Sequence, residues 1–281
     1  MDGASAAAGR LVVCPTPIGN LEDVTLRVLA SLREADVVAC EDTRRTRVLL
    51  DRYGVKSPPT QLLSYHEHNE RERASELVER MRQGAVVALV SDAGMPLISD
   101  PGFLLVQACV AAGLPVEVLP GPSSAVSALV ASGLPADSWR FVGFLPRKRA
   151  ECERLLAHTS ETLVAFESPR RLPATLALLA ERDPQRPAAV CRELTKLHEE
   201  VRRGSAAELA AHYEEHPPRG EVVLVVGAAP PGAAQTEQAL GALRKLIDAG
   251  AKARPAAAVV AELTGTSAND LYRELTSGSS G

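Results

Sequence analysis

The side chains best suited to chemistry lie in the segment SDAGMPLISDPG, residues 91–102, which directly follows the apolar run AVVALV. Its two aspartates are costly to bury unless other groups hydrogen-bond to their carboxylates. Its two glycines permit backbone angles and close approaches that side chains forbid, and its two prolines stiffen the chain. A rigid, polar and glycine-opened segment is typical of a loop that holds a ligand, although this composition fits a surface turn equally well.

The elements around this segment predict a parallel sheet. Strand-like apolar runs alternate with helical stretches, as in βαβ units; the runs are RLVVC (10–14), ADVVAC (35–40), QLLSY (61–65), AVVALV (85–90) and PVEVL (115–119). Ligands of such sheets bind beyond the carboxyl ends of the strands. Five polar loops follow these runs, namely PTPIGN, EDTRRT, HEHNE, SDAGMPLISDPG and PGPSSAVSAL. Because they share one edge, we expect them to form one site.

Three domains are expected along the chain. An N-terminal α/β domain over 10–120 is followed by a second, smaller α/β domain over 121–229, with strands at TLVAFE, PAAVCREL and GEVVLVVG. A Pro/Gly/Ala linker then leads to a helical unit over 236–276 with helix-turn-helix spacing, in which Gly265 lies at the turn and Ser267 is a plausible N-cap. This spacing is compatible with nucleic-acid contact or with a purely structural role.

Composition excludes several classes of protein. The chain has 281 residues, 46% of them hydrophobic and 23% charged, and no apolar run approaches membrane length. The N-terminus lacks the pattern of a signal peptide, and five scattered cysteines without a CxxC indicate buried thiols in a reducing compartment, so we expect a cytoplasmic protein. A net charge of −4 argues against indiscriminate nucleic-acid binding.

Several familiar motifs are missing from the sequence. No GxGxxG marks a dinucleotide site, and no GxxxxGK[ST] marks an NTPase. His66 and His68 are spaced i,i+2, which does not place two ligands on one helical face, so no metal site is expected. Ser123 and Ser124 lack a nucleophile elbow and are suited to capping the next helix, which leaves backbone amides free to bind a polar ligand group.

Seven segments together carry a resemblance to a known family; in order they are CPTPIGNLEDVTLRVL, CEDTRRTRVLL, SDAGMPLISDPG, PGPSSAVSAL, FVGFLPRK, FESPRRL and CRELTKLHEE. The chain resembles the tetrapyrrole-methylase superfamily over residues 10 to about 228 and, more narrowly, its ribosomal RNA branch. The resemblance implies two α/β domains with a cofactor cleft between them, a homodimer, and S-adenosylmethionine as cofactor. It also implies 2′-O-methylation of a cytidine ribose in 16S ribosomal RNA, within the small ribosomal subunit.

The resemblance further implies which residues hold the cofactor. They come from the loops after the first, fourth and fifth strands and from the second domain. These residues are Pro15, Pro17, Gly19, Asp92, Gly94, Met95, Pro96, Ile98, Ser123, Ser124, Ala125, Phe166, Glu193 and Leu194.

A methyltransferase acting on a ribose in RNA also needs an acceptor for the hydroxyl proton and basic side chains that bind the phosphates. Glu41, Asp42 and His66 leave adjacent strand ends and are the candidate acceptors. The candidate RNA-binding residues are Arg44, Arg45, Arg147, Lys148, Arg170 and Lys196. Any one of these charged side chains is as well explained by a structural ion pair or a solvated face.

Two alternatives stay open on the sequence. One keeps the cofactor but transfers the methyl group to a small molecule such as a tetrapyrrole; the basic loops and the helical tail disfavour it. The other is a nucleic-acid-binding regulator with an inert cleft, which the polar loops at the strand ends disfavour. Cofactor binding separates the regulator from both enzymes, and the methyl acceptor separates the enzymes from each other.

Overall fold

The computed structural model describes residues 9–55, 61–157, 159–229 and 233–277, which fall into two units. The first comprises Met1–Ala128 with Arg192–Glu200, and the second comprises Leu129–Cys191 with Val201–Gly281. Each unit is built on a five-stranded sheet. The expected α/β class with a C-terminal helical part is therefore confirmed.

The first unit is a parallel sheet with strand order β3-β2-β4-β1-β5. Its elements are β1 (Arg10–Cys14), α1 (Leu26–Glu34), β2 (Val37–Cys40), α2 (Thr43–Arg52), β3 (Gln61–Ser64), α3 (Glu70–Arg82), β4 (Val86–Val90), α4 (Phe103–Ala111), β5 (Val116–Val118) and α5 (Ser124–Ser132), which leads into the second unit. A short 3-10 helix, Leu21–Asp23, precedes α1. The five strands lie within the predicted apolar runs.

Alternation along the strands places a core on each face of this sheet. In β1, Leu11 and Val13 pack with α3 and α4, whereas Val12 and Cys14 pack with α1 and α2. Because both faces are covered, the central strands are apolar throughout, as in other parallel sheets. The functional polar groups are thereby left to the loops at the strand ends.

One predicted loop is helical. EDTRRT was expected to be a loop, but the Asp42 carboxylate accepts the backbone N–H of Arg44 at 2.8 Å and caps α2, which begins at Thr43. Asp is among the best N-cap residues because its oxygen satisfies an otherwise unpaired amide of the first turn. Arg44 and Arg45 therefore lie in the first turn of a helix.

The second unit has strand order β6-β7-β10-β8-β9, with β6 and β7 parallel and β7 and β10 antiparallel. Its elements are β6 (Trp139–Phe144), α6 (Arg149–Ala157), β7 (Thr162–Glu167), α7 (Leu172–Arg182), β8 (Pro187–Arg192), β9 (Glu200–Ser205), α8 (Ala206–Glu215) and β10 (Val222–Val226). The sequence predicted β7, β8 and β10 but neither β6 nor β9.

In the described part of the chain, three helices follow β10: α9 (Ala233–Asp248), α10 (Ala253–Thr264) and α11 (Ala268–Ser277). They bury an apolar cluster of their own, in which Leu243 and Leu271 are fully buried. Gly265, the predicted turn residue, ends α10 in the left-handed conformation at φ +65°. Contact between Arg182 on α7 and Glu237 on α9 joins these helices to the rest of the second unit.

Candidate functional site

The loops after β1 and β4 are tied together at the carboxyl edge of the first sheet. The backbone N–H of Thr16 donates to Gly94 O, and the N–H of Gly94 donates to Thr16 O, both at 2.9 Å. The Thr16 hydroxyl also donates to Ser91 O at 3.0 Å, and the Ser91 hydroxyl donates to Gly94 O at 3.1 Å. The predicted ligand-holding segment is therefore fixed against the loop after β1, the proline loop Pro15–Gly19.

The 91–102 loop holds its shape at a conformational cost. Gly94 has φ +82°, and a Cβ there would lie 3.3 Å from Ile18 Cγ2. Leu97 and Ser99 also have positive φ, at 73° and 66°, where side chains are disfavoured. Strained backbone of this kind persists only where the surroundings impose it, and it concentrates at functional sites.

The loop after β5 closes against the same edge. A Cβ on Gly121 would lie 2.4 Å from Pro15 Cγ, so only glycine permits this approach. α5 begins at Ser124, and its first turn places the backbone carbonyl of Ser123 within 2.9 Å of the Ser127 N–H. Ala125 is buried beneath them.

The carboxylate of Asp92 links the ends of β2 and β4. Asp92 Oδ1 accepts the backbone N–H of Asp42 at 3.0 Å, and Asp92 Oδ2 lies 3.5 Å from Arg45 Nη1. Asp42 is itself engaged by Arg44, whose hydrogen bonds hold the pKa of the Asp42 carboxyl below its usual value. A depressed pKa makes a weak base, so the structure gives Asp42 the role of a helix cap.

The pKa values of Glu41 and Asp100 are raised, whereas that of Asp42 is lowered. Burial and then the nearby charge of Asp92 raise the pKa of Glu41. Burial, followed by the charge of Glu41, raises the pKa of Asp100 to about 6. Carboxyl groups whose pKa values move toward neutrality are suited to accept or hold a proton. Asp100 was missing from the predicted site residues, since only the folded edge brings it into the field of Glu41.

His66 presents a hydrogen-bond donor. The Asn69 amide is oriented by two backbone contacts: its Oδ1 accepts from His66 N at 2.9 Å, and its Nδ2 donates to Ser64 O at 3.1 Å. The same Nδ2 lies 3.3 Å from His66 Nε2, which is therefore the acceptor, and a neutral ring then carries its proton on Nδ1. In the described part of the chain, that buried Nδ1 has no protein partner.

The predicted cofactor residues divide between the units. Those of the loops after β1, β4 and β5 come together at the edge described above. Glu193 and Leu194 also belong to the first unit, in the turn between β8 and β9. Phe166 lies on β7 of the second unit, with its ring centroid 5.0 Å from that of Phe141. Their roles toward a cofactor stay predictions.

The predicted RNA-binding residues are mostly exposed and partly paired. Arg44 contacts Asp42 at 3.0 Å, Lys148 contacts Glu151 at 3.1 Å, and Lys196 contacts Glu193 at 2.9 Å. Arg147 and Arg170 are exposed in the second unit. The neighbouring Arg171 has a structural role: it donates to Pro146 O at 2.7 Å and to the buried carboxylate of Glu167 at 3.2 Å.

The described residues contain neither a metal-binding cluster nor a membrane-spanning helix. No group of three or more His, Cys, Asp or Glu side chains there has a metal-binding arrangement. The five cysteines are buried free thiols. No helix among the described ranges has the length and apolar character to cross a membrane.

Comparison with known proteins gives a consistent picture. The family model described as Tetrapyrrole (Corrin/Porphyrin) Methylases matches residues 10–210. A protein of Thermotoga maritima named Ribosomal RNA small subunit methyltransferase I is 46% identical over 220 residues, covering 78% of this chain and 98% of its own. A protein of the same name from Mesorhizobium japonicum is 46% identical over 272 residues, covering 94% of this chain and 90% of its own.

A solved structure agrees in fold. The uroporphyrin-III-C-methyltransferase of Thermus thermophilus superimposes with a TM-score of 0.53 at 28% identity, covering 78% of this chain and 94% of that one. A family model matched over most of the chain, together with relatives of this identity and coverage, establishes the assignment. The chain belongs to the tetrapyrrole methylase family.

Proposed function

We propose that this chain is an S-adenosylmethionine-dependent methyltransferase that methylates the 2′-oxygen of a cytidine ribose in 16S ribosomal RNA. The observation that carries the proposal is the 46% identity to a relative named Ribosomal RNA small subunit methyltransferase I across 98% of that relative's length. The similarity to a uroporphyrin-III methyltransferase is lower, at 28% identity. It keeps a small-molecule acceptor as the second candidate.

The carboxyl edge of the first sheet fits such a cofactor. Its loops are held rigid, Gly94 keeps the backbone clear of a Cβ, and His66 offers a buried Nδ1–H without a partner among the described residues. S-adenosylmethionine, when bound, supplies a methyl group activated by a sulfonium. The residues proposed to hold it are Pro15, Pro17, Gly19, Asp92, Gly94, Met95, Pro96, Ile98, Ser123, Ser124, Ala125, Glu193 and Leu194, with Phe166 from the second unit.

The protein's own chemical tasks are alignment and proton removal. Rigid loops hold the reacting groups in line, which by itself accounts for much of the lowering of a barrier. Glu41 is the proposed acceptor of the ribose hydroxyl proton because its raised pKa makes it a stronger base than Asp42. His66 acts as a donor in this scheme, and Asp92 fixes the end of β2 through the Asp42 amide.

The proposed substrate is held through its phosphates. Arg44, Arg45, Arg147 and Arg170 are the exposed guanidinium groups suited to bidentate phosphate contacts. Lys148 and Lys196 are the proposed ammonium contacts. Substrate binding is therefore expected to weaken as salt rises, in spite of the acidic net charge.

The proposal extends to the cellular location, the form of the substrate and the oligomeric state of the protein. The chain works in the cytoplasm on the small ribosomal subunit, and it forms a homodimer. Phe103 and Val110 support self-association, because they lie seven residues apart on α4 and are 62% and 67% exposed.

The test is methyl transfer from labelled S-adenosylmethionine to purified 16S RNA, to small ribosomal subunits and to uroporphyrinogen III. The proposal expects label in the RNA, alone or in the subunit, and none in the tetrapyrrole. Label in uroporphyrinogen III alone would replace the proposal with the small-molecule enzyme. Absence of cofactor binding by calorimetry would favour the non-catalytic regulator.

A further inference from the structure

The turn between β8 and β9, residues 193–199, holds the proline loop at the carboxyl edge of the first sheet. The backbone N–H of Asn20 donates to the Thr195 hydroxyl oxygen at 2.9 Å. A Cβ built on Gly19 would lie 2.5 Å from Lys196 Cγ and 2.7 Å from Thr195 Oγ1. Asn20 and Thr195 are 175 positions apart in the sequence, yet the two segments lie so close together that only glycine fits at position 19.

The same contact fixes how the proline loop ends. The Asn20 side chain accepts the N–H of Glu22 at 3.0 Å and caps the 3-10 helix Leu21–Asp23. The first residue of that helix is held in turn by the Tyr53 hydroxyl, which donates to Leu21 O at 2.8 Å. Asn20 is thus fixed through its backbone by Thr195 and through its side chain by the helix that follows.

The turn takes an unfavourable conformation to make this contact. Glu193 has φ +50° and Thr195 has φ +65°. A β-branched residue in the left-handed region is an outlier, because its Cβ substituents crowd the backbone. Local bonds hold it there: Thr195 N–H donates to Glu199 Oε2 at 2.5 Å, and Lys196 N–H donates to Glu193 O at 3.0 Å.

Core packing accounts for only part of this turn, in which Leu194 is buried. Leu197, near the tip of the turn, is 93% exposed, so the turn buries no large apolar side chain at that point. A glycine or asparagine at 195 would satisfy the backbone more easily, but glycine would leave the Asn20 amide without its acceptor. An outlier that is retained together with a specific long-range hydrogen bond points to function.

We propose that Thr195 is a positioning residue whose hydroxyl, by binding the Asn20 amide, holds the Pro15–Gly19 loop in its cofactor-binding conformation. The inference rests on the proposed function, because it assigns that loop to S-adenosylmethionine. Thr195 acts through the loop and has no contact with the reacting atoms in this scheme. Its loss is expected to raise the Kd and the KM for the cofactor and to leave the KM for RNA unchanged.

The test compares Thr195→Ala, Thr195→Gly and Thr195→Ser by calorimetry with S-adenosylmethionine. Losing one neutral hydrogen bond is expected to weaken cofactor binding about three- to tenfold in T195A and T195G. T195S keeps the hydroxyl and is expected to stay within about twofold of the wild type. T195G keeps the test available if T195A folds poorly, because glycine accepts the positive φ.

Leu197→Ala is the matched control, since it lies in the same turn and is expected to leave cofactor affinity unchanged. Gly19→Ala forces a Cβ against Lys196 and is expected to weaken binding, with an effect that is not additive with T195A because the two residues share one contact. Wild-type affinity in both T195A and T195G would overturn the inference, as would failure of T195S to restore binding. A wild-type protein that binds no cofactor would instead refute the proposed function.

Discussion

At the scale of single residues, adjacent acidic side chains at the carboxyl edge of the first sheet have different hydrogen bonds and different burial. The sequence shows only that they are neighbours. Glu41 and Asp42 are adjacent, but Asp42 points into the amides of α2, whereas Glu41 is partly buried beside Asp92. The Asp42 carboxylate is thereby stabilised as a helix cap, whereas the pKa of the Glu41 carboxyl is raised, as the proposed proton acceptor requires. The distinction depends on hydrogen bonds that no spacing pattern contains.

Replacing Glu41 by glutamine is expected to slow methyl transfer about 100-fold or more, because the amide cannot accept the ribose proton. Cofactor affinity is expected to change less than about twofold, because the change is isosteric. The wild-type rate is expected to rise with pH as the Glu41 carboxyl, whose pKa is raised, loses its proton, and this rise is expected to disappear in Glu41→Gln. Single-turnover transfer rates across pH measure both effects, with the exposed Glu79→Gln as control. An unchanged rate would remove Glu41 from the mechanism.

Asp100 makes stability depend on pH in a predictable direction. Folding raises its pKa from 3.8 to about 6, so the native state binds this proton more tightly than the unfolded state. Native stability is therefore lost as pH rises from about 4 toward 7. Asp100→Asn removes that loss. The free energy of unfolding of the variant minus that of the wild type is therefore expected to rise by about 1–2 kcal/mol between pH 4 and pH 7.5.

Urea unfolding at the two pH values measures this change. The control is Asp137→Asn, which alters an exposed aspartate of the second unit. A difference between Asp100→Asn and the wild type that stayed constant with pH would show that Asp100 titrates alike in both states.

At the scale of elements, apolar runs predicted all five strands of the first sheet and the three inner strands of the second, but missed the two edge strands of the second sheet. β6 (WRFVGF) and β9 (EVRRGS) are the two edge strands of the second sheet, and their residues are intermediate or exposed. An edge strand needs no continuous apolar run, so its sequence carries little signal. The first turn of α2 was expected to be loop, because the polar segment EDTRRT contains no apolar residue that would indicate a helix.

The loops at the strand ends were predictable as a group, because parallel strands direct their carboxyl ends to one edge. Their internal geometry was not. The backbone pairing of Thr16 with Gly94 depends on the fold, and so does the contact of Asn20 with a turn 175 residues away. The expected strand 187–194 likewise stops at Arg192, because Glu193 takes a positive φ.

The rigidity of the 91–102 loop is testable at Gly94. Gly94→Val places a branched side chain at φ +82° against Ile18 and is expected to weaken S-adenosylmethionine binding about tenfold or more. Gly113→Val is the matched control: its φ is +67°, and a Cβ there meets nothing within 4 Å. Both variants carry backbone strain, but only Gly94→Val disturbs the proposed site. Equal cofactor affinities of the two folded variants by calorimetry would contradict the placement of the site.

At the scale of the whole molecule, the C-terminal helices α9, α10 and α11 form a helical part with an apolar core of its own. They bury their own cluster around Leu243 and Leu271, and the Arg182–Glu237 contact ties them to α7. Five basic and five acidic residues balance within 236–276. A neutral helical unit with its own core is suited to docking by shape on a structured RNA more than to general attraction of phosphates.

A chain that ends at Gly232 is therefore expected to fold and to bind S-adenosylmethionine with unchanged affinity. Methyl transfer to the RNA substrate is expected to slow at least about tenfold, because correct placement of the substrate is lost. Thermal melting, solution mass and transfer rate on one sample separate the outcomes. Full transfer activity would exclude a docking role, and unfolding or dissociation would show that the helices support the second unit or a dimer.

The most direct test of the central claim is to map ribose methylation in 16S RNA from a bacterial strain that lacks its own enzyme of this type. Expression of this chain is predicted to restore one 2′-O-methylated cytidine in the small-subunit RNA, and expression of the Gly94→Val variant is predicted not to. A 16S RNA that stays unmethylated while the folded wild-type chain is present in the cell would contradict the proposed function.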